Sequence, residues 1–416
     1  MDTVKNIDEK TRNWGEILFF SFFIPWIGLV ILSQTAFYGV YLYKYFSVWE
    51  VLIHFLPILF VSVKVLAFDK IPLIPKLLLL LGFFIVVAQF FNITFDDDLL
   101  LAAVLIFSSF GIDFKKILKI HLLESVIITL IGTISSLVGI IPNISYHKDG
   151  ITRYALGSIW CTDYSAKYFF MILVCLYLYS KKMRWFHWIG LLALSSGVFA
   201  VTFGRLDFIC MILAIAAFFL HEQLEKKEVK FTSIWKNLLE KLSPVFTPAA
   251  AALMTLLTLA YSSSNSILQK INLTLSRRLD LGKSAFSDIG FTAIGQDVKW
   301  VAMGGTMTNK APEGYNFVDC SYLNILFTFG VLAILILIAA HAYMAYANRR
   351  DHRFVLVIAL ISLNCIVAHH FIEVAYNPFW AALLAITPVF AGKNSFGKSD
   401  TENAQKLSNQ TEGAAS

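Results

Sequence analysis

The stretch LLLLLGFFIVVAQFFNITF, residues 77–95, decides the fold. It carries no charge, and as an α-helix it would extend about 28 Å at 1.5 Å per residue. That matches the roughly 30 Å hydrocarbon core of a bilayer. Working outward, comparable apolar runs occupy 16–35, 47–67, 99–112, 120–142, 166–180, 188–204, 206–220, 245–261, 320–343, 354–369 and 377–391. The run at 16–35 has no small-residue cleavage site behind it and reads as a first span rather than a removed leader. The fold class is therefore all-α, a polytopic membrane bundle of about 12 transmembrane helices.

Composition agrees. Of 416 residues, 57% are hydrophobic and 15% charged, with mean hydropathy +0.68. A soluble domain is nearer half apolar and a quarter charged. The distribution of Lys and Arg gives the orientation. With the N-terminus in the cytoplasm, 22 of the 34 basic residues fall inside, 11 outside, and Lys64 within a span. Both termini are then cytoplasmic. Residues 1–392 form the membrane domain, with two sizeable outer loops, 143–165 and 262–319. Loops of that length usually carry function. The polar stretch 393–416 reads as a disordered cytoplasmic tail.

The second loop contains a helical pattern. Leu275, Leu279, Phe286, Ile289 and Ala293 fall within about 80° of a helical wheel, opposite Arg277, Asp280, Ser284 and Asp288. An amphipathic helix over the bundle or along the membrane surface is expected, although Gly282 and Gly290 weaken it.

The outer arginines Arg153, Arg205, Arg277 and Arg278 run against the positive-inside rule. Two readings stand for each: a structural or headgroup contact, or a planar guanidinium gripping the oxygens of an anionic substrate. Asp207, two residues after Arg205, is placed to pair with it. Tyr315, Asp319 and Tyr322 read either as an interfacial belt or as a sugar-binding edge, with rings to stack on and a carboxylate for hydroxyls. His370 and Glu373 are three apart, so on a helix they face one way. An imidazole beside a carboxylate is a proton acceptor; a buried structural pair is the alternative. Together with His369 they supply too few ligands for zinc, and no metal site or cofactor is expected. Asp96 and Asp98 are either a polar cap or oxygen ligands for a divalent cation. Lys64 and Glu124 lie within spans and should face the interior. Of five cysteines, Cys161 and Cys320 fall in outer segments where a disulfide is conceivable. The chain has no P-loop, dinucleotide fingerprint or nucleic-acid module, which argues against ATP as an energy source and against a nucleic-acid partner.

Three stretches resemble the Wzy-type polysaccharide polymerases that build O-antigen, capsule or exopolysaccharide in bacteria. The first is Arg153-Tyr154-Ala155-Leu156-Gly157. The second is Gly204-Arg205. The third is Ser276-Arg277-Arg278-Leu279-Asp280-Leu281, followed by Gly295-Gln296 and by Asp319-Cys320-Ser321-Tyr322 opening a span. The hydropathy plan is similar over nearly the whole chain. One departure is Ile159-Trp160-Cys161-Thr162-Asp163-Tyr164, where such proteins often carry a His-Pro-Asn-like step; Asp163 or Thr162 could take its hydrogen-bonding place. The resemblance implies a glycosyltransferase in the cytoplasmic membrane that uses undecaprenyl-diphosphate-linked oligosaccharide at the outer face. Arg153, Arg205, Arg277 and Arg278 would hold the diphosphate. His370, Glu373 or Asp319 would assist the attacking hydroxyl, and Tyr315, Tyr322, Asp163 and Gln296 would bind sugar. Its partners would be membrane lipids and a flippase and chain-length regulator of the same pathway. A flippase for lipid-linked sugars, or a glycan transferase like the O-antigen ligases, is the alternative.

Overall fold

The computed structural model describes residues 2–148, 150–227, 230–302 and 313–389, with backbone alone for 2–13, 148 and 230. The expected tail at 393–416, the last residues of the 377–391 run and part of the 262–319 loop lie outside the described residues. The chain is a helical bundle with one β-hairpin. Its helices are α1 (Asp2–Ser33), α2 (Tyr38–Phe68), α3 (Leu73–Thr94), α4 (Asp98–Ser108) and α5 (Phe114–Leu137). The hairpin, β1 (Ser145–Lys148) and β2 (Ile151–Tyr154), follows, with Tyr146 opposite Arg153. Then come α6 (Cys161–Lys182), α7 (Trp185–Thr202), α8 (Arg205–Lys227), α9 (Lys230–Leu242) and α10 (Phe246–Ala260). The last are α11 (Ser266–Thr274), α12 (Arg278–Asp288), α13 (Ser321–Ala347) and α14 (His352–Asn364), before a 3-10 turn at Pro378–Leu383.

Among the described residues, eight helices are long and apolar enough to span a membrane: α1 from Trp14, α2, α3, α5, α6, α7, α8 and α13. A ninth span arises if α9 and α10, bent by 64° to each other, are taken as one. The other runs read from sequence take different forms. Run 99–112 yields the 11-residue α4, and run 354–369 yields the 13-residue α14. Run 377–391 yields only the 3-10 turn and irregular chain as far as it is described. Apolar runs alone do not separate a span from a buried non-helical segment.

Side-chain donors tie down the backbone of that irregular segment, while the buried Tyr376 hydroxyl has no hydrogen-bond partner among the described residues. Phe371, Ile372, Val374, Tyr376, Phe379 and Trp380 are all buried. The Asn377 Nδ2 and Trp380 Nε1 groups each donate to Phe371 O at 2.7 Å. His121 Nε2 donates to Val374 O at 2.8 Å. Non-helical backbone persists at membrane depth only where protein groups take up its polar atoms in this way.

The intramembrane lysine finds its partners too. Lys64 is buried, 2.7 Å from Asp69 and 2.9 Å from Phe110 O. Helix α6 is the centre of the bundle: 72% of its apolar window is buried, against 22–44% in the other seven spans. It packs on α5, α7 and α8. The tight α7–α8 turn abuts it at Gly204, where an added Cβ would lie 2.5 Å from Ser165 Oγ. Only glycine permits that approach.

The amphipathic helix of the long loop is α12, and it covers the bundle. Leu279 and Ala285 are buried. It begins at Arg278, because Arg277 is left-handed (φ 68°), and ends at Asp288, so of the expected apolar face Leu275, Ile289 and Ala293 lie outside it. Gly282, which weakens the helix by propensity, is where α12 meets α10 and α13. A Cβ there would lie 2.8–2.9 Å from Leu323 and Thr258 side-chain carbons.

Candidate functional site

The hairpin, the α7–α8 turn, α12 and residues 369–376 gather around the first two turns of α6. Helical spacing puts Asp163 and Lys167 on one face of α6 and Ser165 on another. Ser165 Oγ donates to Asp207 at 2.5 Å, tying α6 to the start of α8. Asp207 therefore does not pair with Arg205, the partner expected from sequence; it is buried against α6 instead. Lys167, which sequence reasoning passed over inside an apolar run, is buried. It donates to Gln34 O at 2.8 Å and Ser158 Oγ at 3.3 Å, pinning α1 and the hairpin loop to α6.

Opposite Asp163 stand the histidines. His370 Nδ1 donates to Glu373 Oε2 at 3.0 Å, and His369 Nε2 faces Glu373 Oε1 at 3.3 Å. The i, i+3 pairing expected of His370 and Glu373 exists, but in a buried turn rather than a helix. His370 stacks on Tyr376 with centroids 4.0 Å apart, and Phe317 meets His369 edge-on at 4.9 Å. Burial alone would raise Glu373, but the imidazoles, His370 first, overcome it and hold the carboxyl at about 2. Burial alone would lower His370, but the Glu373 charge and hydrogen bond outweigh it and raise the imidazole above its ordinary value. His369 is pushed down to about 4 by burial and by its neighbour His370. Glu373 thus favours the charged form of His370, while burial favours the neutral form of His369.

Candidate ligand atoms of Asp163, His369 and His370 lie within 4.8 Å of one another, as do those of Asp96, Asp97 and Asp98. The first group was not foreseen, because Asp163 lies some 200 residues from the histidines. A carboxylate hydrogen-bonded to one ring nitrogen, as Glu373 is to His370 Nδ1, supports a proton-holding imidazole and a metal-ligating one alike. In the acidic turn, Asp97 lies 2.9 Å from His54, which is also 2.8 Å from Glu50. Asp96 is raised to about 7 by burial and then by Asp97.

The four arginines separate into different roles. Arg278 is buried and fully engaged. Its Nε donates to Val367 O at 2.7 Å, one terminal nitrogen to Leu275 O at 3.1 Å, and the other lies 3.3 Å from Asp319. It locks α12 to the chain after α14, and its charge occupies Asp319. Arg277 is exposed and grips Asp280 through Nε at 3.2 Å and a terminal nitrogen at 2.6 Å. Arg153 spends Nε on Thr202 O at 2.8 Å, which leaves its terminal nitrogens for other partners. Arg205 is exposed and makes no ion pair among the described residues. Among the described residues, both therefore keep donors without a partner at the Thr202–Arg205 turn, beside the positive N-terminal end of α8.

Of the expected sugar-binding groups, Asp163 lies inside the cluster, and Tyr315 is half-buried beside Asp319 and Arg278; burial, then Asp319, pushes its hydroxyl up. Tyr322 is buried, and its hydroxyl donates to Ser362 O at 2.9 Å, so it is a packing residue. Gln296 spends its amide on Gly290 O and Phe327 O, both at 3.1 Å, closing the loop against the kink of α13 at Gly330. Cys161 and Cys320 are buried and free.

The chain matches no known protein family, no curated protein and no solved structure.

Proposed function

We propose that the chain is a glycosyltransferase that polymerises oligosaccharide repeat units carried on a lipid diphosphate, undecaprenyl diphosphate by the family resemblance. It would work at the outer face of the cytoplasmic membrane, with both termini inside. One observation carries this reading. An imidazole–carboxylate cluster faces Asp163 near the start of one central helix, and the turn that abuts the same helix carries Arg205 and holds Arg153 through Thr202 O.

The chemistry needs those two parts. The bond from the donor sugar's anomeric carbon to the diphosphate oxygen breaks, and a bond to an acceptor hydroxyl oxygen forms. The hydroxyl proton must leave, and the diphosphate gains negative charge. Arg205 and Arg153 would offer guanidinium N–H donors to the diphosphate oxygens where that charge develops. His369, neutral and partly exposed, takes the hydroxyl proton. His370 and Glu373 hold the imidazole pair in register, and Asp163 hydrogen-bonds the acceptor sugar. Asp319 acts through Arg278 rather than as a base. The donor is already activated, which agrees with the lack of a nucleotide-binding motif.

The test is elongation by the purified chain in nanodiscs supplied only with lipid-linked repeat units. A product ladder growing by whole repeats, lost in Arg205→Ala, is expected. An unchanged ladder in that variant would remove Arg205 from the reaction. Repeat units moved across a bilayer without elongation would identify a flippase instead. Transfer of finished glycan to a non-repeat acceptor would identify a ligase.

A further inference from the structure

Helix α9 has three faces, and only two are accounted for by the protein and by water. Toward the bundle, Thr232 and Leu239 are buried, and Trp235 Nε1 donates to His221 at 3.4 Å. Toward the polar side, Lys236 pairs with Glu225 at 2.6 Å and Glu240 with His352 at 3.0 Å. Glu225 lies in the last turn of α8 and His352 is the first residue of α14. So α9 lies across helix ends, at the end of the bundle where the basic residues concentrate. The third face is apolar and uncovered. Phe231, Ile234, Leu238 and Leu242 are 56%, 57%, 46% and 38% exposed, and they share a sector of about 80° at 100° per residue.

The geometry points to α9 as an in-plane membrane anchor that binds the surface of an anionic lipid leaflet. Its 13 residues extend about 20 Å, too short to cross a core of roughly 30 Å. It bends 64° away from α10, as a helix lying near the membrane plane would if α10 runs across it. Phe219 and Leu220 of α8, and Val245 and Leu253 leading into and along α10, are exposed as well. Exposed Lys226, Lys227 and Lys241 flank it. Aliphatic and aromatic groups dipping beneath headgroups, with lysines beside them, is the chemistry of an interfacial amphipathic helix, and each lysine near an anionic surface adds attraction.

Spin labels test the placement in the full chain. Single cysteines at Ile234, Leu238, Ser233 and Asn237 would carry a nitroxide in nanodiscs, after a control showing that the unsubstituted chain takes no label. Collisions with oxygen should exceed collisions with a nickel chelate at 234 and 238, and the reverse should hold at 233 and 237. The oxygen-to-nickel ratio at 234 should be greater in phosphatidylglycerol discs than in phosphatidylcholine discs, and that difference should vanish when Lys226, Lys227 and Lys241 are all changed to Gln. Nickel access at all four sites would place the face in water and overturn the proposal. Oxygen access at all four would make α9 half of a broken span. Protection from both probes at 234 and 238 would mean that a protein surface or a second copy covers it. Equal ratios in the two lipids would overturn the anionic preference.

Discussion

The two ends of the bundle spend their charges differently. At the end where α9 lies, ion pairs join helix ends: Lys236 with Glu225, Glu240 with His352, Lys116 with Glu16. These pairs fasten the helices together, and lysines such as Lys226, Lys227 and Lys241 stand exposed around them. At the end that carries the hairpin, charge is crowded. Glu373 faces two imidazoles, Asp163 stands among them, and Arg205 has no ion-pair partner among the described residues. A fastening end needs pairing that closes on itself. A reacting end needs groups held in place with capacity to spare, and a cleft cluster of perturbed titratable groups is a functional-site candidate.

On that contrast, substitutions at the crowded end should cost activity far more than fold. Arg205→Ala should show the largest effect, a loss of about 10²–10³-fold in repeat-unit transfer, with folding unchanged because the side chain is exposed. Arg205→Lys should recover only a small part, since a point charge does not reproduce the guanidinium fork. Arg277→Ala, one of the four arginines matched by resemblance, should lose little, because its donors already serve Asp280. Normal transfer by Arg205→Ala would erase the contrast.

Next in size is Arg278→Ala. It leaves Val367 O and the carboxylate of Asp319 without their donor. Breaking a buried pair costs about 3–5 kcal/mol; Asp319 is partly exposed, so a loss nearer 2–3 kcal/mol is expected after solvent screening. Thermal unfolding in detergent would read it, and an unshifted midpoint would show that α12 does not depend on this lock.

The His370–Glu373 pair gives a pH signature of the same kind. Glu373 is depressed, so its contribution is present above the ordinary carboxyl value of 4.5 and is lost as pH falls toward about 2. His370 is raised, so its contribution is complete below 6.5 and is lost as pH climbs through the raised value. Stability from the pair should therefore plateau between those limits and fall on the alkaline side. Glu373→Gln should flatten that alkaline fall. An identical pH profile in wild type and variant would argue that the pair is not charged in the folded state. The smallest effect belongs to the fastening end: Glu240→Gln should shift stability by no more than about 0.5 kcal/mol, because the pair is partly exposed.

Much of this bundle was legible in the sequence because lipid imposes a simple rule on long helices. Residues 77–95 and the paired runs around Arg205 became helices as read. The rule failed where buried protein replaces lipid as the solvent. Residues 365–389 are as apolar as a span, yet side-chain donors such as Asn377 and Trp380 free them from helical pairing. The site was legible in its parts and not in its assembly. Spacing brought His370 to Glu373 but could not bring Asp163 to either. Nor could sequence tell Arg278, spent on carbonyls, from Arg205, which is not.

The burial of α6 has a consequence for how the chain is made. It is the least apolar of the eight spans and the most enclosed by its neighbours. Asp163 and Lys167 sit near its start, and charged residues oppose partition of a lone helix into the bilayer. It should therefore enter the membrane poorly when it emerges alone from the insertion machinery and well when α5 has preceded it and α7 follows. The helix that organises the chemistry would thus be the one that depends most on the order of synthesis. Truncations ending after α6 should leave it on the wrong side of the membrane more often than truncations ending after α8.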